Sequence, residues 1–464
     1  MKTTKFFLMA ALALTFAACS NDDNDILNPA QTAKGEGITI TATLAPKDAG
    51  ATTRKVSEGT NEIVTSWEQY EGIAILYTVG SEKKKADATI TSVDANGVAT
   101  ISFTVASGTP DNTECTLVYP KGAAKADYTG VKAYADMLAT QWGDLTADFD
   151  VRVGAGKIQT TTPSLDVTTQ PAAQYSIFKF TTQNIAGTGI TPSKFKVSDS
   201  EGNVITTVSP SSSAFYVALP ALSASTYWFS ATADSKPYIA KATTAAATVA
   251  GKYYQTTVKM ATIGDVILSD GKFAAPSSTG TKVAMIAYLG NDAETSPTNT
   301  TYNHGLALAL LDVFETKAWC SQTVATCLGT GHQFDSYDGA KGDMAGIFNT
   351  NHLILSAGSH THSAATAARQ FKYVSTADEG AHPTGTSAWF LPSAGQWDKM
   401  ATAAGSYANL KTNAGLQGDD SSTYWSSTEY DAEHAWFFFP KYGGWNVNNK
   451  ASGTDFLVRA CLAF

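Results

Sequence analysis

The side chains best suited to chemistry lie late in the chain. All seven histidines, from His304 to His434, fall beyond residue 300, together with Cys320, Cys327 and Cys461. His360 and His362 flank Thr361. On a strand the two rings would share a face and could approach one metal ion. The SAATAARQF segment that follows reads as a helix starting at this point, which would turn the rings apart, so no metal is expected there. The cysteines lack the CxxC pairs of a structural zinc site. Three thiols in the last module allow one disulfide at most, and their spacing leaves the pair open. Serine, histidine and aspartate occur without a GxSxG nucleophile elbow. No catalytic set emerges, no cofactor is expected, and the chain does not read as an enzyme.

Aromatic residues offer a better lead. Trp436, Tyr442 and Trp445, with Asn446, Asn448 and Asn449, bracket the Gly443-Gly444 turn of a hairpin. An aromatic face packs on the apolar face of a sugar while amides supply paired donors and acceptors. Tyr442, Trp445, Asn446 and Asn448 are therefore the candidate ligand-binding residues. Trp425 and Trp436 are expected to fill the core, and Trp445 to be exposed.

The N-terminus says where such a surface would be displayed. Lys2 and Lys5 precede an apolar run from Phe6 to Ala18 that ends directly before Cys19. Its 13 residues fall short of the roughly 20 that span a bilayer, so residues 1–18 read as a signal peptide. The FAAC site resembles the bacterial lipobox, which implies a lipid anchor on Cys19, a palmitate-type acylated lipoprotein in the outer membrane. The SNDDND that follows resembles an acidic tag for export to the outer face. A net charge of −9 without a clustered basic patch argues against nucleic acid as a partner. The short KKK at Lys83 to Lys85 reads as a solvated turn.

From there to residue 262 the pattern is strand after strand. ITITATLA places Ile38, Ile40, Ala42 and Leu44 on one face, and GIAILYTV, ATISFTV and CTLVYP follow between Gly, Asp, Asn and Pro clusters. A second set follows the Thr- and Pro-rich TTTPSLDVTTQP: SIFKF, KFKVSD, VITTV, AFYVALP, TYWFSATA and KYYQTTVKM. The expected fold is mainly β, with two tandem β-sandwich domains over 55–160 and 161–262. Beyond residue 262 helices join the strands. Ser393 with Gln396 makes a capping-box pattern that opens a helix through Trp397 and Met400 to about Ala404. TYWSSTEY, HAWFFF, WNVNN and TDFLVRACLAF then read as strands. In the last, Phe456, Val458, Ala460, Leu462 and Phe464 point one way, and Arg459 and Cys461 the other. The expected third domain is α+β, over 263–464.

The lipobox, the early ITITATLA, Arg54 in ATTRKVSEGT, TSWEQYEGIAILY and the closing AGKYYQTTVKM together resemble the fimbrillin family over residues 19–262. Fimbrillins are subunits of type V pili in Gram-negative anaerobes. The resemblance implies a cut after Arg54 that exposes Lys55 and removes residues 19–54 with their strand. It further implies pilus subunits as partners through donor-strand exchange. The chain has only four arginines against 28 lysines, so an arginine-specific protease has few targets.

WFLPSAGQW, WSSTEY, AWFFF and VRACLAF resemble the C-type-lectin-like fold of bacterial adhesin tips and of sulfatase-modifying-factor-like domains. The Glu-Pro-Asn and Gln-Pro-Asp triplets of calcium-dependent sugar binding are missing. Cysteine spacing also departs from that of the related formylglycine-generating oxidases. The expectation is a tip pilin in the fimbrium that accepts a strand and presents an adhesive domain to a glycan or a host or bacterial surface protein. A surface lipoprotein that binds such a ligand without polymerising is the alternative.

Overall fold

A computed structural model gives the fold of the chain. The residues it describes are 37–47, 56–58, 63–290, 302, 304–313, 316–322, 326–328, 333–355, 360–416, 422–440, 443–452 and 456–464. Cys19, Arg54, Lys55 and Tyr442 lie outside the described residues. The fold is mainly β, as expected.

The first unit holds β1 (Ile38–Leu44), β2 (Val56–Glu58), β3 (Ile63–Thr65), β4 (Gly72–Val79), β5 (Glu82–Val93), β6 (Ala99–Val105), β7 (Thr113–Tyr119), α1 (Tyr134–Leu138), β8 (Thr140–Gln141), β9 (Arg152–Gln159) and β10 (Ser164–Ala173). Seven of these strands close a barrel in the order β1-β10-β9-β7-β4-β5-β6. Alternation in β1 sends Ile40, Ala42 and Leu44 inward, where they meet Ile90, Ile101 and Phe103. All seven β1 residues pair antiparallel with β6, from Ile38 opposite Val105 to Leu44 opposite Ala99. On its other side Thr41 pairs with Ser164 of β10 in parallel. A slip of one residue would turn Ile40 and Leu44 to solvent, so the hydrophobic pattern fixes this register.

Two expectations need correction here. The segment after residue 160 does not open the second unit, because β10 pairs with β9 of the barrel as far as Ala173. Its Pro171 lacks an N–H and sits where the register shifts between Thr169 and Ala172, a place where the ladder tolerates proline. The Lys83–Lys85 run is not a turn. It lies within β5, opposite Thr78, Tyr77 and Leu76, and the turn falls one step earlier at Gly80, whose φ is 60°.

The second unit is a sandwich of β11 (Ser176–Asn184), β12 (Lys194–Ser198), β13 (Val204–Val208), β14 (Ala214–Leu219), β15 (Thr226–Ala233), β16 (Lys236–Thr243) and β17 (Tyr253–Met260). One sheet runs β14-β11-β17 and the other β16-β15-β12-β13-β8. Phe180, Phe195, Phe215 and Phe229 fill the space between them. β8 is lent by the first unit, and its buried Gln141 ties the two together. The Gln141 amide donates to the carbonyls of Leu138 (3.0 Å) and Ala218 (2.9 Å) and accepts from the Ala218 N–H (2.9 Å).

The third unit comprises β18 (Val266–Leu268), β19 (Phe273–Ala274), β20 (Lys282–Leu289), β21 (Gly305–Ala309), α2 (Tyr337–Gly342), α3 (Gly346–Leu355), α4 (Ser363–Arg369), α5 (Ala394–Ala403), α6 (Tyr407–Ala414), β22 (Thr423–Glu429), β23 (His434–Phe439), β24 (Gly444–Asn449), β25 (Phe456–Leu457) and β26 (Cys461–Ala463). Its sheets run β19-β18-β20-β21-β26 and β24-β23-β22-β25. The capping box forms as the spacing predicts: Ser393 accepts from the Gln396 N–H, and the Gln396 side chain accepts from that of Ser393 (3.0 Å).

The C-terminal residues 456–464 are two short strands rather than one, and both of their faces are buried. Phe456, Val458, Ala460, Leu462 and Phe464 join one core, while Cys461 and Ala463 join another. Arg459 is also buried, held by Asp312 at 2.6 Å and by the carbonyls of Ala309 (2.9 Å) and Gly415 (3.0 Å). The third unit packs on the second through aromatic rings. Trp228 of β15 meets His304 at 4.1 Å and Phe464 at 6.4 Å. Among the described residues, no helix is long and apolar enough to cross a membrane.

Candidate functional site

Three places bear on function, and the first is the position of β1. Just beyond it, Lys47 reaches into a buried charge cluster. Its ammonium donates to Asp150 (2.6 Å), lies 3.9 Å from Glu71 and sits 3.7 Å from the centre of the Tyr119 ring. Arg152 donates to the same Asp150 (2.6 Å), and Tyr119 donates to Glu71 (2.7 Å). Burial pulls the Lys47 ammonium below its usual range, and Asp150 holds it back up. The segment 38–47 is thus fixed by seven paired residues, an apolar face and one buried cation.

The second place is the β23–β24 hairpin. Trp425 and Trp436 fill the core as expected, donating their indole N–H groups to the carbonyls of Lys317 and Phe334 (both 2.8 Å). Trp445 departs from expectation. It is half-buried, tilted against Phe438 at 5.5 Å, with its N–H directed at the Tyr407 hydroxyl (3.3 Å). The reason is strand geometry: neighbouring residues point to opposite faces, so Trp445 cannot share a surface with Asn446 and Asn448. Asn446 is exposed on the edge strand, and its side chain accepts from the Val447 N–H (2.9 Å). Trp142, which the sequence gave no reason to single out, is the exposed tryptophan of the described residues at 74%.

The third place was not expected at all. Cys320, Cys327, His360 and His362 each offer one donor atom, and these four atoms lie within 4.8 Å of one another. Among the described residues, they are the donors that converge closely enough to hold a metal ion. His362 does not begin inside the helix but stands at the N-cap of α4 in a non-helical conformation (φ −106°, ψ 78°). The two rings therefore meet edge to face at 5.0 Å and 84° instead of diverging. The chain crosses back on itself here: Ser321 N–H donates to the Thr361 carbonyl (2.8 Å), and Thr361 N–H donates to the Ser321 hydroxyl (2.9 Å).

Around this cluster lies a fully buried ion pair that alternation in TYWSSTEY conceals. All seven residues of β22 are buried. Glu429 accepts from the N–H groups of Cys327 (2.8 Å) and Leu328 (3.0 Å) and pairs with Lys450. Cys320 N–H donates to the Lys450 carbonyl (2.9 Å). Burial pushes the Cys327 thiol up, with Lys450 opposing, and brings the His362 imidazole down to about 4. No disulfide joins the described cysteines. Cys461 lies apart, its thiol directed at the Leu462 carbonyl.

No family model matches the chain, and no curated protein matches it. Among solved structures it is similar to a fimbrial protein from Bacteroides ovatus, at 14% identity and a TM-score of 0.34, over 92% of this chain and 99% of the other. It is also similar to a fimbrial assembly protein from Parabacteroides distasonis, at 13% identity and a TM-score of 0.29, over 48% and 90% of the two chains. Likeness at this level fixes neither fold nor function, and the architecture described above rests on the chain's own strand pairing.

Proposed function

We propose that the chain is a surface-exposed fimbrillin-type pilus subunit, anchored through Cys19, that accepts a strand from a neighbouring subunit and displays residues 263–464 as an adhesive, lectin-like head. The observation that carries this reading is the place of β1. It precedes Arg54 in sequence and closes the barrel between β6 and β10. A cut after Arg54 would let β1 leave, exposing two strand edges and the pockets of Ile40 and Leu44. Such edges recruit another strand.

The packing of residues 456–464 supports a terminal position in the pilus. Burial of Phe456, Val458, Leu462 and Phe464 contributes about 1.5–3 kcal/mol each, a total comparable with the stability of a whole domain. The final strand is therefore not free to be donated. Asn446 and Asn448 offer amides on edge strand β24 for a glycan or protein ligand, with Trp445 bracing the strand from behind.

The test combines cleavage and imaging. The full chain is exposed to an arginine-specific protease with a partner subunit, and pili are labelled with gold against residues 263–464. Cleavage at Arg54 followed by single terminal spots is the expected result. Regular labelling along the shaft would refute the terminal position. Assembly unchanged by Arg54→Ala would refute processing, and the absence of assembly by either protein would favour the non-polymerising reading.

A further inference from the structure

We infer that Cys320, Cys327, His360 and His362 form a structural zinc site that staples the head domain. The ligand set is that of closed tetrahedral zinc centres, which bind through two thiolates and two imidazoles and keep no open position. Zinc–sulfur bonds of about 2.3 Å and zinc–nitrogen bonds of about 2.0 Å place the donors of a tetrahedron roughly 3.3–3.8 Å apart. Donor atoms that already lie within 4.8 Å need only side-chain adjustment to close on an ion.

A second observation points to a ligand independently of that convergence. His362 is 1% exposed, and neither of its ring nitrogens has a hydrogen-bond partner among the described residues. The same holds for Nδ1 of His360. Buried polar atoms are almost always satisfied, and leaving one bare costs about 1–3 kcal/mol.

Charge agrees with this assignment. Two thiolates cancel the charge of Zn²⁺, and the adjacent Lys450 and Glu429 cancel each other, so the loaded centre is neutral overall in its buried setting. Binding would release the two thiol protons to solvent. The backbone is arranged for the purpose as well, since Cys320 is held by Lys450, Cys327 by Glu429, and residues 321 and 361 by each other. Trp319 closes one side, its ring 5.8 Å from that of His362. Enclosure by four protein ligands assigns the ion a structural role, joining Cys320 and Cys327 to the start of α4.

The experiment uses the full mature chain, purified reduced and without chelating tags, stripped of metal and titrated with Co²⁺ and then Zn²⁺. The expected result is one Co²⁺ per chain, with the intense visible bands of a tetrahedral ion and a thiolate charge-transfer band, all displaced by Zn²⁺. His362→Gln and Cys327→Ser should abolish the bands, and Cys461→Ser should leave them intact. A buried cysteine variant could fail to fold, so His360→Gln, at a half-buried position, supplies the control. It should weaken binding at least roughly tenfold with an unchanged circular dichroism spectrum. A weak octahedral cobalt spectrum, or tetrahedral bands that survive His362→Gln, would overturn the assignment. So would a Cys320–Cys327 disulfide in protein isolated from the cell surface. None of these outcomes depends on whether the chain assembles into pili.

Discussion

Acidification should loosen the third unit from the second, and the group responsible is His304. Its ring lies tilted against Trp228 at 4.1 Å, is 7% exposed, and leaves Nε2 without a hydrogen-bond partner among the described residues. The Lys241 ammonium already lies 5.6 Å from the centre of the same indole, so a second cation would be poorly placed. Burial brings the imidazole down to about 4 from 6.5. The folded state thus resists a proton that the unfolded state accepts. Stability is complete above the unfolded value and is lost as pH falls from about 6.5 towards 4. Integrated to about pH 4.5, the loss is roughly 2.5 kcal/mol. Carboxylates titrate over part of the same window, so the measurement must be a difference between proteins. His304→Phe keeps an aromatic ring against Trp228 and removes the titration. Urea unfolding followed by tryptophan fluorescence, at pH 7 and pH 4.5, should show the variant gaining about 2 kcal/mol or more over wild type on acidification. An offset between the two proteins that does not change with pH would refute the reasoning.

Other perturbations test other parts of the molecule. Lys47→Met removes one partner from a buried cluster, and with Arg152 still on Asp150 the cost to the barrel should be about 3 kcal/mol; faster cleavage at Arg54 and a lower urea midpoint would report it. Phe464→Ala empties a site that is 1% exposed between Phe273 and Gly305, and thermal unfolding of the third unit should register about 3–5 kcal/mol. Ser393→Ala deletes the cap of α5 and a bond from its hydroxyl to the Asp343 carbonyl (2.5 Å), so a loss of about 1–2 kcal/mol should appear in chemical denaturation.

Where one period governs a segment, the amino-acid order was enough to read its structure. ITITATL alternates strictly and became a half-buried barrel strand with its apolar face inward. Ser393 and Gln396 have the spacing of a capping box, and the helix begins after Ser393. The split of the C-terminal side chains between two directions also held, because alternation is a property of the backbone itself. β10 is not legible in the sequence as part of the first unit, because Thr and Pro carry boundary signals locally, while its pairing with β9 depends on an edge that only the closed barrel supplies.

The candidate sites show the same division more sharply. Sequence alone determined that residues 38–44 form a strand before Arg54 and that the last residues are built for a core. It could not place Trp445, whose exposure depends on Phe438 and Tyr407 from other elements. Nor could it bring Cys320 and Cys327 to His360 and His362, which lie more than thirty residues further along the chain. Spacing in sequence reports on neighbours within one helix or strand. Convergence of donors from separate segments is set by where the chain crosses itself, here through the hydrogen bonds between Ser321 and Thr361 and the non-helical turn at His362. Those crossings follow from packing of the whole domain, so tertiary structure alone decided that four scattered side chains share one buried point.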